Sequence, residues 1–132
     1  RGTLMSRARA DDDGPAYFAG IKVKRGDDVS RLFELFSSLI GYGSDTVTTE
    51  LNLTGRTYVS SISTTQGGTV VATPTVTVPT PTNGQIVWSL TDTQTDALTG
   101  RTYYFDVIEN PGTTSERTII EGTLAVSGRA TP

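Results

Sequence analysis

A chain of 132 residues without a single cysteine or histidine has room for one domain, and much chemistry is closed to it from the start. There is no disulfide, thiol nucleophile or thiolate metal site, and no imidazole base for a Ser-His-Asp arrangement. A formal net charge of −3 gives no basic field to hold nucleic acid, and 35% hydrophobic content suits a thin two-layer β domain with wide polar faces.

Residues 1–16 read as an extended N-terminal arm, and residues 17–132 as a β-sandwich domain with a short C-terminal tail. In the arm, Arg1, Arg7 and Arg9 precede Asp11, Asp12 and Asp13, then Gly14 and Pro15. So few apolar residues cannot offset the entropy of ordering, which leaves either a disordered tail or an arm that orders against a partner subunit. No signal-peptide core opens the chain. It begins on Arg1, which suggests an omitted start with Met5 internal.

Residues 17–24 alternate loosely, with Phe18, Ile21 and Val23 set against Lys22 and Lys24. This is a first strand, ending in the turn Arg25-Gly26-Asp27-Asp28. Residues 29–40 are ambiguous. Leu32, Phe33, Leu35, Phe36, Leu39 and Ile40 fit helical spacing, with Asp28 or Ser30 as cap, while Phe33, Leu35 and Ser37 alternate like a strand. The surrounding β pattern favours a strand over 30–36, followed by a loop at 41–45. With Arg31 and Glu34 inside it, the same run is too short to span a bilayer.

Further strands are expected at 47–51, 57–63, 69–73 and 75–78. Pro74 and Pro79 bracket the last of these, so the run 69–78 belongs at a sheet edge, where a missing amide does no harm. Residues 80–83 form a proline-bearing loop. In 85–90, Ile86, Trp88 and Leu90 share one face. Residues 91–98 offer cap-like Thr and Asp for one helical turn. In 101–108, Tyr103, Phe105 and Val107 share a face, with Tyr104 on the other. Asn110-Pro111-Gly112 is a hairpin turn. In 117–126, Ile119, Glu121, Thr123 and Ala125 alternate with Ile120, Gly122, Leu124 and Val126.

Strand signals every 8–12 residues, split by turn residues, indicate a sandwich or barrel; the fold expected is an all-β, immunoglobulin-like β-sandwich of about seven to eight antiparallel strands. Its expected core is Ile86, Trp88, Leu90, Leu98, Tyr103, Phe105 and Val107, centred on residues 84–107. Leu98-x-Gly100-x-x-Tyr103 resembles a tyrosine corner.

Motifs that could carry chemistry are weak. Arg25-Gly26-Asp27 is better explained as a turn than as an integrin tripeptide. Asn52-Leu53-Thr54 is a formal glycosylation sequon. Asp92, Asp96, Asp106, Glu109 and Glu121 could pair for sugar hydrolysis, and Asp11-Asp12-Asp13-Gly14 could gather a hard cation, but neither set has the spacing of a working site. Of the aromatic residues in 84–107, Tyr104 is the outward candidate for sugar stacking. The expectation is therefore no catalytic, cofactor-binding or metal-ligating residues, and no nucleic-acid or membrane partner.

The order of pieces is familiar. Lys24-Arg25-Gly26-Asp27-Asp28 is followed by Ser30-Arg31-x-Phe33-x-Leu35 and Leu51-x-Leu53-Thr54-Gly55. Then come Gly84-x-Ile86-x-x-x-Leu90-Thr91, Gln94-Thr95-x-Ala97-Leu98, Tyr104-Phe105-Asp106-Val107 and Glu121-Gly122-Thr123-Leu124-x-Val126. This resembles small immunoglobulin-like sandwich proteins of tailed bacteriophages and prophages, similar to the N-terminal domain of baseplate upper proteins. It covers roughly residues 20–130. Residues 36–50 are richer in Gly and Ser than that pattern, and the arm has no counterpart in it. The resemblance implies a non-enzymatic virion protein that works through assembly contacts in a symmetric homo-oligomer. It would sit at the tail, baseplate or fibre attachment; the alternatives are a capsid-surface decoration or cement protein, or a host-surface carbohydrate-binding module using Tyr104, Tyr42 or Tyr58. The residues that would meet partners are Arg1, Arg7, Arg9, Asp11, Asp12 and Asp13 of the arm, and Tyr104.

Overall fold

The structure, a computed structural model, describes residues 7–11, 17–40 and 47–128, and the side chains of 17–35 and 51–128. In chain order the strands are β1 (Arg7–Asp11), β2 (Tyr17–Lys24), β3 (Val29–Ile40), β4 (Val47–Glu50), β5 (Tyr58–Ser63), β6 (Val70–Ala72), β7 (Thr75–Thr77), β8 (Gln85–Leu90), β9 (Thr102–Glu109) and β10 (Arg117–Ser127). A one-turn helix, α1 (Asp92–Asp96), joins β8 to β9.

The described strands form two five-stranded sheets. The first runs β1-β3-β8-β7, with β4 also on β3; the second runs β2-β10-β9-β5-β6. Strands β3-β8-β7 facing β10-β9-β5-β6 reproduce the immunoglobulin Greek-key order. The all-β sandwich expected from the sequence is thus what the chain forms. The described residues form ten strands rather than seven or eight: β4 falls on the strand expected at 47–51, while β1, within the expected arm, adds a strand to β3. The pairing is also not wholly antiparallel: β1 runs parallel to β3, and β2 parallel to β10.

The core follows from period-two alternation, which sends every second side chain inward. In β8, Ile86, Trp88 and Leu90 are buried; in β9, Tyr103, Phe105 and Val107 are, and Leu98 closes the end of α1 over them. Trp88 and Phe105 meet with ring centroids 5.3 Å apart, tilted by 47°. A buried indole N–H needs a partner. The Trp88 Nε1–H donates to Ser60 Oγ at 2.9 Å, and the Ser60 hydroxyl donates to the Asp106 carbonyl at 2.6 Å. One serine thereby satisfies the tryptophan and ties it to the facing sheet.

Residues 29–40 are strand throughout, four residues beyond the expected end at 36. Phe33 and Leu35 are buried while Leu32 and Glu34 are only half so, which is the strand period. Cross-strand partners on β1 and β8 satisfy this backbone and outweigh the local helical spacing. The expected loop at 41–45 lies outside the described residues.

Two expectations about facing are corrected. Phe18 does not share the inner face with Ile21 and Val23. Its parity is that of Lys22 and Lys24, it is 62% exposed, and Ala19 takes the inner position. Ile119 does not share the outward face of Glu121 and Thr123. A bulge between Thr118 and Ile120 lets Ile119 and Ile120 both turn inward.

Local devices hold the ends. Thr91 and Gln94 form a capping box on α1: Gln94 N–H donates to Thr91 Oγ1 at 3.2 Å and Thr91 N–H to Gln94 Oε1 at 2.9 Å. The Tyr103 hydroxyl accepts the Gly100 N–H at 2.7 Å, a tyrosine corner at the start of β9. Gly84 has φ +68°, and a Cβ there would stand 2.5 Å from the Leu35 carbonyl oxygen. Glycine is thus required where β8 begins beside β3.

Candidate functional site

The outer face of the β2-β10-β9-β5-β6 sheet is where the described residues gather charge and exposed apolar surface. Register sets its rows. Phe18, Glu121, Asp106 and Ser61 stand side by side across β2, β10, β9 and β5. The next row is Gly20, Thr123, Tyr104 and Ser63, and the row beyond it Lys22, Ala125 and Thr102. A depression of about 450 Å³ lies on this face, lined among others by Ser61, Ser63, Val70, Tyr104, Asp106 and Glu121.

Asp106 and Glu121 are directly opposed cross-strand neighbours, an arrangement that repels when both are charged. Neither makes an ion pair among the described residues. Burial pushes the Asp106 carboxyl above its ordinary range, the nearby Glu121 adds to this, and the Ser61 backbone N–H partly opposes it. The face therefore offers concentrated negative charge beside exposed apolar groups, suited to a cationic side chain on an apolar surface.

The remaining carboxylates have other uses. Glu109 is 2% exposed and clamped. Arg56 Nη1 lies 3.2 Å from Oε2, Arg117 Nε 3.2 Å from Oε1, and the Tyr58 hydroxyl donates to Oε2 at 2.8 Å. The Tyr58 hydroxyl titrates well above the usual phenol range, because burial and the bond to Glu109 both hold its proton. This cluster locks β5, β9 and β10 together at one end of the sheet. Asp92 and Asp96 sit on α1, at the other end of β9, so the five acidic candidates do not converge.

The Arg25-Gly26-Asp27 turn is docked on α1. The Gly26 N–H donates to Thr95 Oγ1 at 3.0 Å, and the Thr95 hydroxyl donates to the Asp27 carbonyl at 2.8 Å. In the sequon, Asn52 Oδ1 accepts the Thr54 N–H at 3.0 Å and Leu53 is buried. Both motifs are thus accounted for by local turns.

Among the aromatic candidates, Trp88, Tyr103 and Phe105 are buried and Tyr104 is half-buried on the outer face. Tyr58 is engaged by Glu109, and Tyr42 lies outside the described residues. Of the arm residues, Arg7, Arg9 and Asp11 are placed by backbone alone, within β1 beside β3. Arg1, Asp12 and Asp13 lie outside the described residues, and so does most of the acidic run considered for a cation. Sequence reasoning did not group Phe18, Lys22, Asp106 and Glu121, because β2 pairs with a strand about a hundred residues away. The parity of Phe18 with Lys22 was the available signal for that face.

No family model and no curated protein matches the chain. Among solved structures it is similar to the N-terminal domain of phage TP901-1 ORF48, with a TM-score of 0.52 at 14% identity, covering 94% of this chain and 99% of that one. The cysteine protease inhibitor EhICP2 from Entamoeba histolytica matches with a TM-score of 0.37 at 12% identity, over 96% or more of both chains (97% and 100%). Amebosin matches with a TM-score of 0.39 at 11% identity, over 96% of this chain and 100% of that one. The first shares the fold from end to end; the other two are too distant to carry an argument.

Proposed function

We propose that the chain is a structural protein of a tailed bacteriophage virion, at the tail, baseplate or fibre attachment, acting through protein–protein assembly contacts. The observation that carries this reading is the end-to-end match of fold with a phage protein's N-terminal domain, at nearly full coverage of both chains. The buried network of Trp88, Ser60 and Asp106 and the clamp on Glu109 support it, since both rigidify the sandwich without using the outer face. In this reading the sandwich is a building block. Its arm, residues 1–16, and its sheet edges engage neighbours, the edges by main-chain pairing. The short strands β6 and β7 each form one edge of the two sheets, where residues 69–78 are expected to dock.

A capsid-surface decoration or cement role differs only in position on the particle. A carbohydrate-binding role has one observation in its favour, Tyr104 beside the depression. Mass analysis of gradient-purified particles tests the proposal: the chain should be present at a fixed copy number per particle. Its removal by purification to constant infectivity would rule the proposal out.

A further inference from the structure

We propose that the outer face of the β2-β10-β9-β5-β6 sheet is a two-fold interface between two copies of this chain. Three observations lead there. Every large apolar side chain exposed among the described residues (Tyr17, Phe18, Val59, Val70 and Val71) lies on a strand of this one sheet. The opposing sheet exposes none among its described side chains. Of these, Phe18, Val59 and Val70 hold the outward parity, in step with Lys22, Ser61 and Ser63, whereas Tyr17 stands at the parity of the inward Ala19 and Ile21; the three put uncovered apolar area on the outer face, the mark of a contact surface.

The second observation is charge. The face has an acidic centre, Glu121 beside Asp106, and a basic margin, Lys22 and Lys24 on β2, and none of the four makes an ion pair among the described residues. Charges of both signs on one face, without an ion pair among the described residues, are complementary to the same face of another copy.

The third is register. The row Gly20–Thr123–Tyr104–Ser63 lies between the row of Phe18 and Glu121 and the row of Lys22 and Ala125. Successive rows are about 7 Å apart, two residues along a strand. A two-fold axis lying along the middle row exchanges the outer two. Lys22 of one copy then stands over Phe18 and next to Glu121 of the other, and the same pair recurs by symmetry. The lysine ammonium meets the carboxylate while its methylenes cover the phenyl ring. Face-to-face sheets are about 10 Å apart, a gap that a lysine and a glutamate bridge end to end. The middle row is small except for Tyr104, and a Cβ on Gly20 would meet nothing within 4 Å, so two faces can approach there. Such packing aligns the strands of the two sheets, a common arrangement of stacked sheets.

The inference is independent of the virion reading, since it concerns the purified chain in solution. Sedimentation equilibrium of the full chain tests it. The wild type should be a dimer in the micromolar range. Lys22→Glu and Glu121→Lys each place like charges across the axis and should weaken the dimer about ten-fold or more. The double variant restores opposite charges and should recover most of the wild-type affinity. Both positions are exposed, and far-ultraviolet circular dichroism checks that each variant is folded. A wild type monomeric at hundreds of micromolar would overturn the proposal. So would single reversals without effect, or a double variant no better than the singles. A monomer whose Glu121→Lys variant loses a different particle protein would overturn it too, and would assign the face to that protein.

Discussion

Asp106 carries a conflict visible at the scale of one residue. Its carboxyl is partly withdrawn from water and faces Glu121 across the ladder, with the Ser61 N–H as its compensation. A carboxyl whose folded pKa is raised costs stability when charged. The cost is fully present above the folded pKa and disappears as pH falls below the ordinary carboxylate value. Asp106→Asn should therefore stabilise the fold by about 0.5 kcal/mol at neutral pH, the scale of a like-charged cross-strand pair. The gain should shrink on acidification and be absent below about pH 4. Denaturant midpoints of both proteins at pH 7 and pH 3.5 check this. A variant less stable than wild type at pH 7 would mean that the Ser61 bond outweighs the repulsion. Glu109 shows the opposite solution: a carboxylate more deeply buried than Asp106 is matched by two guanidinium groups and a hydroxyl, so its charge is compensated where it sits.

Among the elements, β10 does the most joining, since it pairs with β2 in parallel and with β9 antiparallel. Gly122 makes the first pairing close. A Cβ there would collide with the Ala19 carbonyl, so β2 could not keep its distance. Gly122→Ala should cost about 2 kcal/mol, within the range of overpacking, or more if β2 detaches. Amide hydrogen exchange should show protection lost first in β2, and unchanged exchange there would contradict the account. Much at this scale was legible. The alternation in β8 and β9, the turns at Gly26 and Asn110, and the cap at Thr91 are local signals, and local geometry follows from them. What was not legible is non-local. Residues 29–40 carry a helical spacing that only the pairing with β1 and β8 overrides, and the inward turn of Ile119 depends on a bulge set by β9. The outward position of Phe18 is legible: it shares the parity of Lys22 and Lys24, which leaves the inward positions to Ala19, Ile21 and Val23.

For the whole molecule, the described residues place a polar network in the interior and at one end, and leave one sheet face with charges that make no ion pair among them and with exposed apolar groups. The candidate partner surface could not be read from the sequence, because it is assembled from β2, β10, β9, β5 and β6, which the fold alone brings together. The central claim is that the chain belongs to the tail of a phage particle, and locating it on intact particles tests that most directly. Electron microscopy of particles labelled with an antibody raised against the chain should place the label on the tail or its attachment points. Label confined to the head would contradict the tail assignment, and particles that carry no label while the free chain accumulates in the lysate would contradict the virion role altogether.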